Sequence, residues 1–122
     1  MPIALVVDDS PISQAIVAKL VGGDYTIVEA MNGAEALEFL SRECFDLLLL
    51  DLLMPVMDGA AVLAAMKDRG IHLPVVVMTA DLQERTRDIV AALGGHVVLN
   101  KPLTRAKLLA AIAEANAAAG TA

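Results

Sequence analysis

The chain has 122 residues, which is enough for one hydrophobic core and too few for two, so we expect a single domain over residues 1–122. Hydrophobic residues make up 57% of the chain and aromatic residues only 2%, a composition that suits helices packed closely on a sheet. The net charge of −6 and the pI near 4.7 argue against nucleic acid as a direct partner, because its phosphates would be repelled.

Three apolar or β-rich runs and two amphipathic stretches fill the first half of the chain. The run Ile3–Val7 predicts a buried strand. A helix follows over 11–21, where a serine and a proline supply the cap and the first turn. Tyr25–Ala30 predicts a second strand, Asn32 opens a second helix, and the leucines of Leu47–Leu50 predict a third strand that is buried on both faces.

The second half of the chain continues the alternation. We expect a helix from about 58 to 69 that ends at a glycine, and Val75–Met78 predicts a fourth buried strand. A helix over 82–93 and the short strand Val97–Leu99 follow. An amphipathic helix from about 104 to 118, with Leu108, Leu109 and Ile112 buried, completes a pattern of five strands and five helices, which is typical of a doubly wound α/β sheet.

Polar residues follow four of the five predicted strands. They are Asp8 and Asp9 after the first strand, Asp51 after the third, Thr79 after the fourth and Lys101 after the fifth. A lone aspartate at a strand end is more often a solvated loop residue. Because the carboxyl ends of parallel strands meet at one edge, where ligands bind, five unrelated turn residues are a poor explanation of this set.

The chemistry of these side chains indicates a metal and a phosphoryl group. Three carboxylates packed together repel one another, and a hard divalent cation such as Mg²⁺ relieves that repulsion. A hydroxyl and an ammonium beside the metal supply the hydrogen-bond donors and the positive charge that a transferred phosphoryl group requires.

Over essentially its whole length the chain resembles the receiver domains of two-component response regulators, and it is nearest in form to stand-alone receivers such as the chemotaxis response regulator. Four motifs carry the resemblance: Asp8 with Asp9, Asp51 with the following MPVMDG, Thr79 with Ala80, and Lys101 with Pro102. The resemblance implies a flavodoxin-like fold, with a five-stranded parallel sheet in the order 2-1-3-4-5 and five helices.

The resemblance also implies roles for the residues at the acidic edge. Asp51 would accept a phosphoryl group from a sensor histidine kinase or a histidine phosphotransfer domain. Asp9, Asp51 and the backbone carbonyl of Leu53 would bind Mg²⁺ directly, and Asp8 would act through metal-bound water. The chain would then be a signalling protein that modifies itself, not a turnover enzyme.

Two further residues of the motif would contact the phosphoryl group. Thr79 and Lys101 would hold its oxygens, and a movement of Thr79 would carry the signal. The resemblance also suggests that the Lys101–Pro102 peptide bond is cis, which a bond before proline tolerates well.

The sequence departs from the family pattern at the output face. Three residues before the lysine the family usually has an aromatic side chain that swings inward, and here Val98 occupies that position. His96 and Val97 stand where many transcriptional members have an acidic pair used in dimers, so we expect a monomer or a weak dimer. We assign no relay function to His72 or His96, since both lie away from the acidic edge.

The lifetime of the phosphoryl group depends on residues that flank the attacking water. In this family these lie two residues beyond the phosphoacceptor and two beyond the threonine, which here are Leu53 and Asp81. Asp81 can contact the water but has a shorter reach than the glutamate often found there, whereas Leu53 cannot orient a water. We expect the effect of Leu53 to prevail and autodephosphorylation to be slower than in chemotaxis-type members.

Two other protein classes share parts of this pattern. A flavodoxin-like electron carrier would need a phosphate-cradling loop in place of Asp-Asp-Ser-Pro, and an aspartyl phosphatase normally needs a second carboxylate at position 53. Within the receiver interpretation, the chain either signals to an unidentified protein target or serves as a phosphate sink or phosphorelay intermediate. No effector segment follows the last predicted helix, so we expect the signal to leave through protein contact.

The sequence has none of the apolar segments that mark membrane or secreted proteins, and it has one cysteine. No apolar run approaches the roughly 18 residues needed to cross a bilayer, and the start of the chain has no basic flank of a signal peptide. We therefore expect a cytoplasmic protein without membrane insertion. The single cysteine, Cys44, cannot form an internal disulfide, and we expect it to be a small apolar filler beside Phe45.

Overall fold

The computed structural model describes residues 2–52, 59–79, 88 and 90–120. It contains five strands: β1 (Ile3–Val7), β2 (Thr26–Ala30), β3 (Leu47–Asp51), β4 (Val75–Thr79) and β5 (Val97–Asn100). They form one sheet in the order β2-β1-β3-β4-β5, and every neighbouring pair is parallel. The predicted flavodoxin-like α/β fold and its strand order are confirmed.

Helices connect the strands along the chain. Four have bounds within the described residues: α1 (Pro11–Val21), α2 (Gly33–Arg42), α3 (Gly59–Asp68) and α5 (Arg105–Gly120). Residues 88 and 90–92 are helical and belong to a further helix, α4. Most of the stretch 82–93 predicted for that helix lies outside the described residues.

The predicted caps begin the first two helices. The Ser10 side chain accepts a hydrogen bond from the backbone N–H of Ser13 at 3.3 Å, and Asn32 Oδ1 accepts one from the N–H of Glu35 at 2.9 Å. Both side chains satisfy N–H groups that have no partner within the first turn of a helix. Gly70 follows the carboxyl end of α3 and has φ +68°, a conformation that glycine adopts without strain.

The sheet is buried on both faces because its central strands are apolar at nearly every position. All five residues of β3 and all five of β4 are buried. Successive side chains of a strand point to opposite faces, so Leu48 and Leu50 join the cluster under α2 and α3. Leu47 and Leu49 join the cluster under α1 and α5.

Two expectations about side-chain burial are wrong. Cys44 is exposed, because it follows the end of α2 in a loop where only Phe45 turns into the core. Leu109 is half-buried, whereas Leu108 and Ile112 are buried as predicted. Alanines complete the buried stripe of α5, since Ala111 and Ala115 lie beneath the helix.

Among the residues with described structure, none of the helices combines the length and the apolar character needed to span a membrane.

Candidate functional site

The carboxyl edge of the sheet carries polar side chains that are buried at the ends of three adjacent strands. Asp8 directly follows β1, Asp51 is the last residue of β3, and Thr79 is the last residue of β4. All three are buried, with Asp8 and Thr79 each only 1% exposed. Buried carboxylates need partners or a bound cation. Their burial at this edge therefore indicates a functional site rather than a solvated surface.

The structure brings together the three carboxylates that the sequence singles out. One oxygen from each of Asp8, Asp9 and Asp51 lies within 4.8 Å of the others. Opposite ligands of Mg²⁺ are about 4.2 Å apart, because each lies at about 2.1 Å from the ion. A cluster of this span is therefore of the right size to hold one such ion.

Lys101 supplies the positive charge at this edge. Its Nζ lies 3.4 Å from Asp8 Oδ2 and 3.8 Å from Asp51 Oδ2, and its side chain is 25% exposed. The backbone N–H of Lys101 donates to the carbonyl of Thr79 at 2.8 Å. The Lys101–Pro102 peptide bond is cis, as predicted.

Asp8 is held by further contacts from the start of α1. Its Oδ1 accepts a hydrogen bond from the backbone N–H of Ser10 at 2.9 Å. Its backbone carbonyl accepts one from Nε2 of Gln14 at 3.0 Å. Sequence reasoning missed Gln14, although its spacing gave a signal: Gln14, Val17 and Val21 form the buried stripe of α1.

Two residues that the sequence associates with this site lie outside the described residues. They are Leu53, whose carbonyl is a predicted metal ligand, and Asp81, which is predicted to flank the attacking water. Their roles stay predictions.

The two histidines lie at the opposite, amino-terminal edge of the sheet, where the sequence predicts them. His72 precedes β4 and His96 precedes β5, and both line a cavity of about 610 Å³ together with Lys67. His96 Nδ1 accepts a hydrogen bond from the backbone N–H of Val75 at 3.0 Å. Burial lowers the pKa of His96 from its usual value of 6.5, because a desolvated imidazole resists protonation.

Comparison with known proteins decides the family. The profile of the response regulator receiver domain matches residues 4–113 of the chain. The chain belongs to the response regulator receiver domain family. Receiver domains are signalling domains of two-component systems, and their partners are sensor histidine kinases.

Curated relatives of this receiver domain are longer proteins. The transcriptional regulatory protein DltR of Streptococcus agalactiae is 31% identical over 112 residues, which cover 92% of this chain and 50% of DltR. The sensor histidine kinase RcsC of Salmonella typhimurium is 36% identical over 101 residues, which cover 82% of this chain and 11% of RcsC. The chain thus spans half the length of the first relative and a small part of the second.

Solved structures show the same architecture. The chemotaxis protein CheY4 of Vibrio cholerae superposes with a TM-score of 0.86 at 27% identity, and the match covers 93% of this chain and 97% of CheY4. The acidic edge described above is therefore the acidic edge of a receiver fold.

Proposed function

We propose that this receiver domain accepts a phosphoryl group on Asp51, in a Mg²⁺-dependent reaction, from a sensor histidine kinase or a histidine phosphotransfer domain in the cytoplasm. The observation that supports this most directly is the convergence of Asp8, Asp9 and Asp51 within 4.8 Å, with the Lys101 ammonium 3.8 Å from Asp51. The modified domain then passes the signal to a target protein by contact.

The chemical step exchanges one bond to phosphorus for another. A carboxylate oxygen of Asp51 attacks the phosphorus of a phosphohistidine, the new O–P bond forms, and the N–P bond breaks with its electron pair returning to the imidazole. In the loose transition state of phosphoryl transfer, catalysis is mostly positioning and charge stabilisation. The burial of Asp51 at the end of β3 fixes the nucleophile in place.

Asp9 and Asp51 would hold Mg²⁺ directly, together with the carbonyl of Leu53, and Asp8 would hold it through water. The bound ion supplies positive charge to the oxygens of the transferred phosphoryl group. Lys101 already lies between two of the carboxylates, so its ammonium can follow the phosphoryl oxygens once Asp51 is modified.

Thr79 is the residue that would report the modification. It ends β4 beside β3, and its strand partner in β5 is Asn100. A hydroxyl at this position can donate a hydrogen bond to a phosphoryl oxygen, and the resulting movement would transmit the change to neighbouring loops. The domain acts once per phosphorylation event and is therefore a switch rather than a turnover enzyme.

A phosphorelay role is the second candidate. Two of the relatives, RcsC of Salmonella typhimurium and TmoS of Ectopseudomonas mendocina, are named sensor histidine kinases. The matched segment is 11% of the first and 12% of the second. In this alternative the chain would pass the phosphoryl group to a histidine, and the same Asp51 would carry it.

Labelling with acetyl phosphate tests the proposal without a partner. We expect the parent chain to gain one phosphoryl group when Mg²⁺ is present and none after chelation, with the label lost in base as expected of an acyl phosphate. Asp51→Asn should abolish labelling, whereas Asp68→Asn, at an exposed position of α3, should not. Base-stable label in the Asp51→Asn variant would contradict the proposal.

A further inference from the structure

Gln14 is a buried polar residue of α1 that touches the candidate site through the backbone. Its side chain is 2% exposed. Nε2 donates to the carbonyl of Asp8 at 3.0 Å and to the carbonyl of Ala30 at 2.7 Å, and it lies 3.8 Å from Sδ of Met31. The same Ala30 carbonyl accepts the backbone N–H of Asp8 at 3.1 Å. The amide thus joins the carboxyl ends of β1 and β2.

The other end of the amide is less well satisfied. Oε1 of Gln14 is buried and has no hydrogen-bond partner among the described residues. Exchanging Oε1 and Nε2 would not help, because an oxygen would then face two carbonyl oxygens. A buried acceptor without a partner destabilises a protein, so the glutamine is a poor choice for stability alone.

The contact to the Asp8 carbonyl has a consequence for Asp9. The peptide group that links Asp8 to Asp9 is held at its carbonyl oxygen by Gln14. Its orientation sets the direction in which the Asp9 side chain leaves the backbone. Asp9 is exposed, but its carboxylate still lies within the cluster with Asp8 and Asp51.

We propose that Gln14 is a positioning residue that fixes the Asp9 carboxylate and thereby gives the acidic cluster its preference for Mg²⁺ over Ca²⁺. The inference rests on the Mg²⁺ site of the proposed function. Mg²⁺ requires nearly ideal octahedral geometry at about 2.0–2.1 Å, whereas Ca²⁺ accepts irregular shells at about 2.3–2.6 Å. Loosening one carboxylate therefore weakens Mg²⁺ binding more than Ca²⁺ binding.

Metal titrations of the Gln14→Met variant test this inference. Methionine keeps the length of the side chain and removes both donors. We expect the Kd for Mg²⁺ to rise about tenfold, the size typical of losing a residue that orients a metal ligand, and the Kd for Ca²⁺ to stay within about twofold. Asn116→Met removes an exposed carboxamide from α5 and should change neither constant.

The ratio of the two constants separates positioning from a general structural role. Equal losses of Mg²⁺ and Ca²⁺ affinity, or no loss of either, would overturn the inference while leaving the proposed function standing. Failure of the parent chain to bind Mg²⁺ would overturn both. If the methionine variant does not fold, Gln14→Asn keeps the amide but shortens its reach, and the same selective loss is expected. If neither variant folds, Gln14 is a structural residue and the inference fails.

Discussion

Lys101 Nζ lies 3.8 Å from Oδ2 of Asp51, so the ammonium of one strand end faces the proposed phosphoacceptor of another. The same nitrogen lies 3.4 Å from Asp8 Oδ2. The ammonium partly neutralises the acidic cluster in the absence of a metal, and it would compete with a divalent cation for the same carboxylates. We therefore expect Lys101 to weaken Mg²⁺ binding and to support the phosphorylation of Asp51.

Replacing this ammonium should separate metal binding from phosphorylation. In Lys101→Met the carboxylates repel one another more strongly, so we expect Mg²⁺ to bind about threefold to tenfold more tightly. The rate of labelling by acetyl phosphate should nevertheless fall by about 10²-fold, because one charge that stabilises the transition state is gone.

The two measurements are a Mg²⁺ titration and the initial rate of labelling at saturating Mg²⁺. Lys107→Met, at an exposed position of α5, is the control and should leave both unchanged. Weaker Mg²⁺ binding in Lys101→Met would show that the ammonium supports the metal site instead of competing with it.

Gly59 sits where the chain has no room for a side chain. An added Cβ would lie 2.9 Å from the carbonyl oxygen of Asp51 and 2.9 Å from Cα of Leu52. Both contacts are to backbone, so Gly59→Ala should displace the phosphoacceptor or the start of α3. We expect a loss of about 1–3 kcal/mol in the free energy of unfolding together with slower labelling of Asp51.

Gly23 provides the matched control in urea unfolding. A Cβ there would meet nothing within 4 Å, so Gly23→Ala should change stability by less than about 0.5 kcal/mol or improve it slightly. Equal stability of the Gly59→Ala and Gly23→Ala variants would mean that the approach of α3 to β3 is looser than the structure shows.

Most of the fold could be predicted because its signals are local. The apolar runs of β1, β3 and β4 can only be accommodated in a sheet that is covered on both faces. The caps at Ser10 and Asn32 mark helix starts by chemistry that acts within one turn. The acidic edge could be predicted for a related reason, since parallel strands bring their carboxyl ends together.

The features that sequence reasoning missed depend on the direction in which single side chains point, not on composition. The loop between α2 and β3 has no repeating geometry. The sequence therefore cannot predict that Cys44 points outward while Phe45 points inward. Gln14 was missed because its two acceptors are backbone carbonyls. Any residue type can offer a carbonyl, so the spacing of Gln14 with Val17 and Val21 indicates that Gln14 is buried, but no sequence pattern indicates its hydrogen bonds.

The hydrogen bond from Val75 to His96 predicts a pH-dependent stability. Burial holds the pKa of His96 below 6.5 in the folded chain, and His96 Nδ1 can accept the Val75 N–H only when it is unprotonated. The unfolded chain binds a proton more readily, so this contribution to stability is complete above about pH 6.5. As the pH falls, this contribution begins to decrease near pH 6.5. It is fully lost once the pH is below the lower pKa of His96 in the folded state.

Urea unfolding between about pH 7.5 and 5.5, a range that spans the ordinary histidine pKa, measures the effect. Lys67 and His72 line the same cavity as His96 and are present in both chains that are compared. Stability of the parent should decline with falling pH more steeply than that of His96→Gln, which keeps an acceptor but cannot titrate. Identical slopes would show that a group other than His96 dominates the pH dependence.

The absence of an aromatic side chain at position 98 should limit how far the signal spreads from the acidic edge. Val98 pairs with Val77 across β4 and β5 and packs, half-buried, against the core cluster under α2 and α3. It has a single stiff torsion and no polar group, so it cannot swing between an outward and an inward position as a tyrosine or phenylalanine can. We therefore expect beryllofluoride with Mg²⁺ to shift the amide resonances of Leu52 and Thr79 strongly and those of α5 only weakly.

Val98→Tyr restores a side chain that can switch, and it should enlarge the response of α5 without changing the affinity for beryllofluoride. Large shifts centred on α5 in the parent chain would show that the output face responds without an aromatic residue, and the role assigned to position 98 would then be wrong.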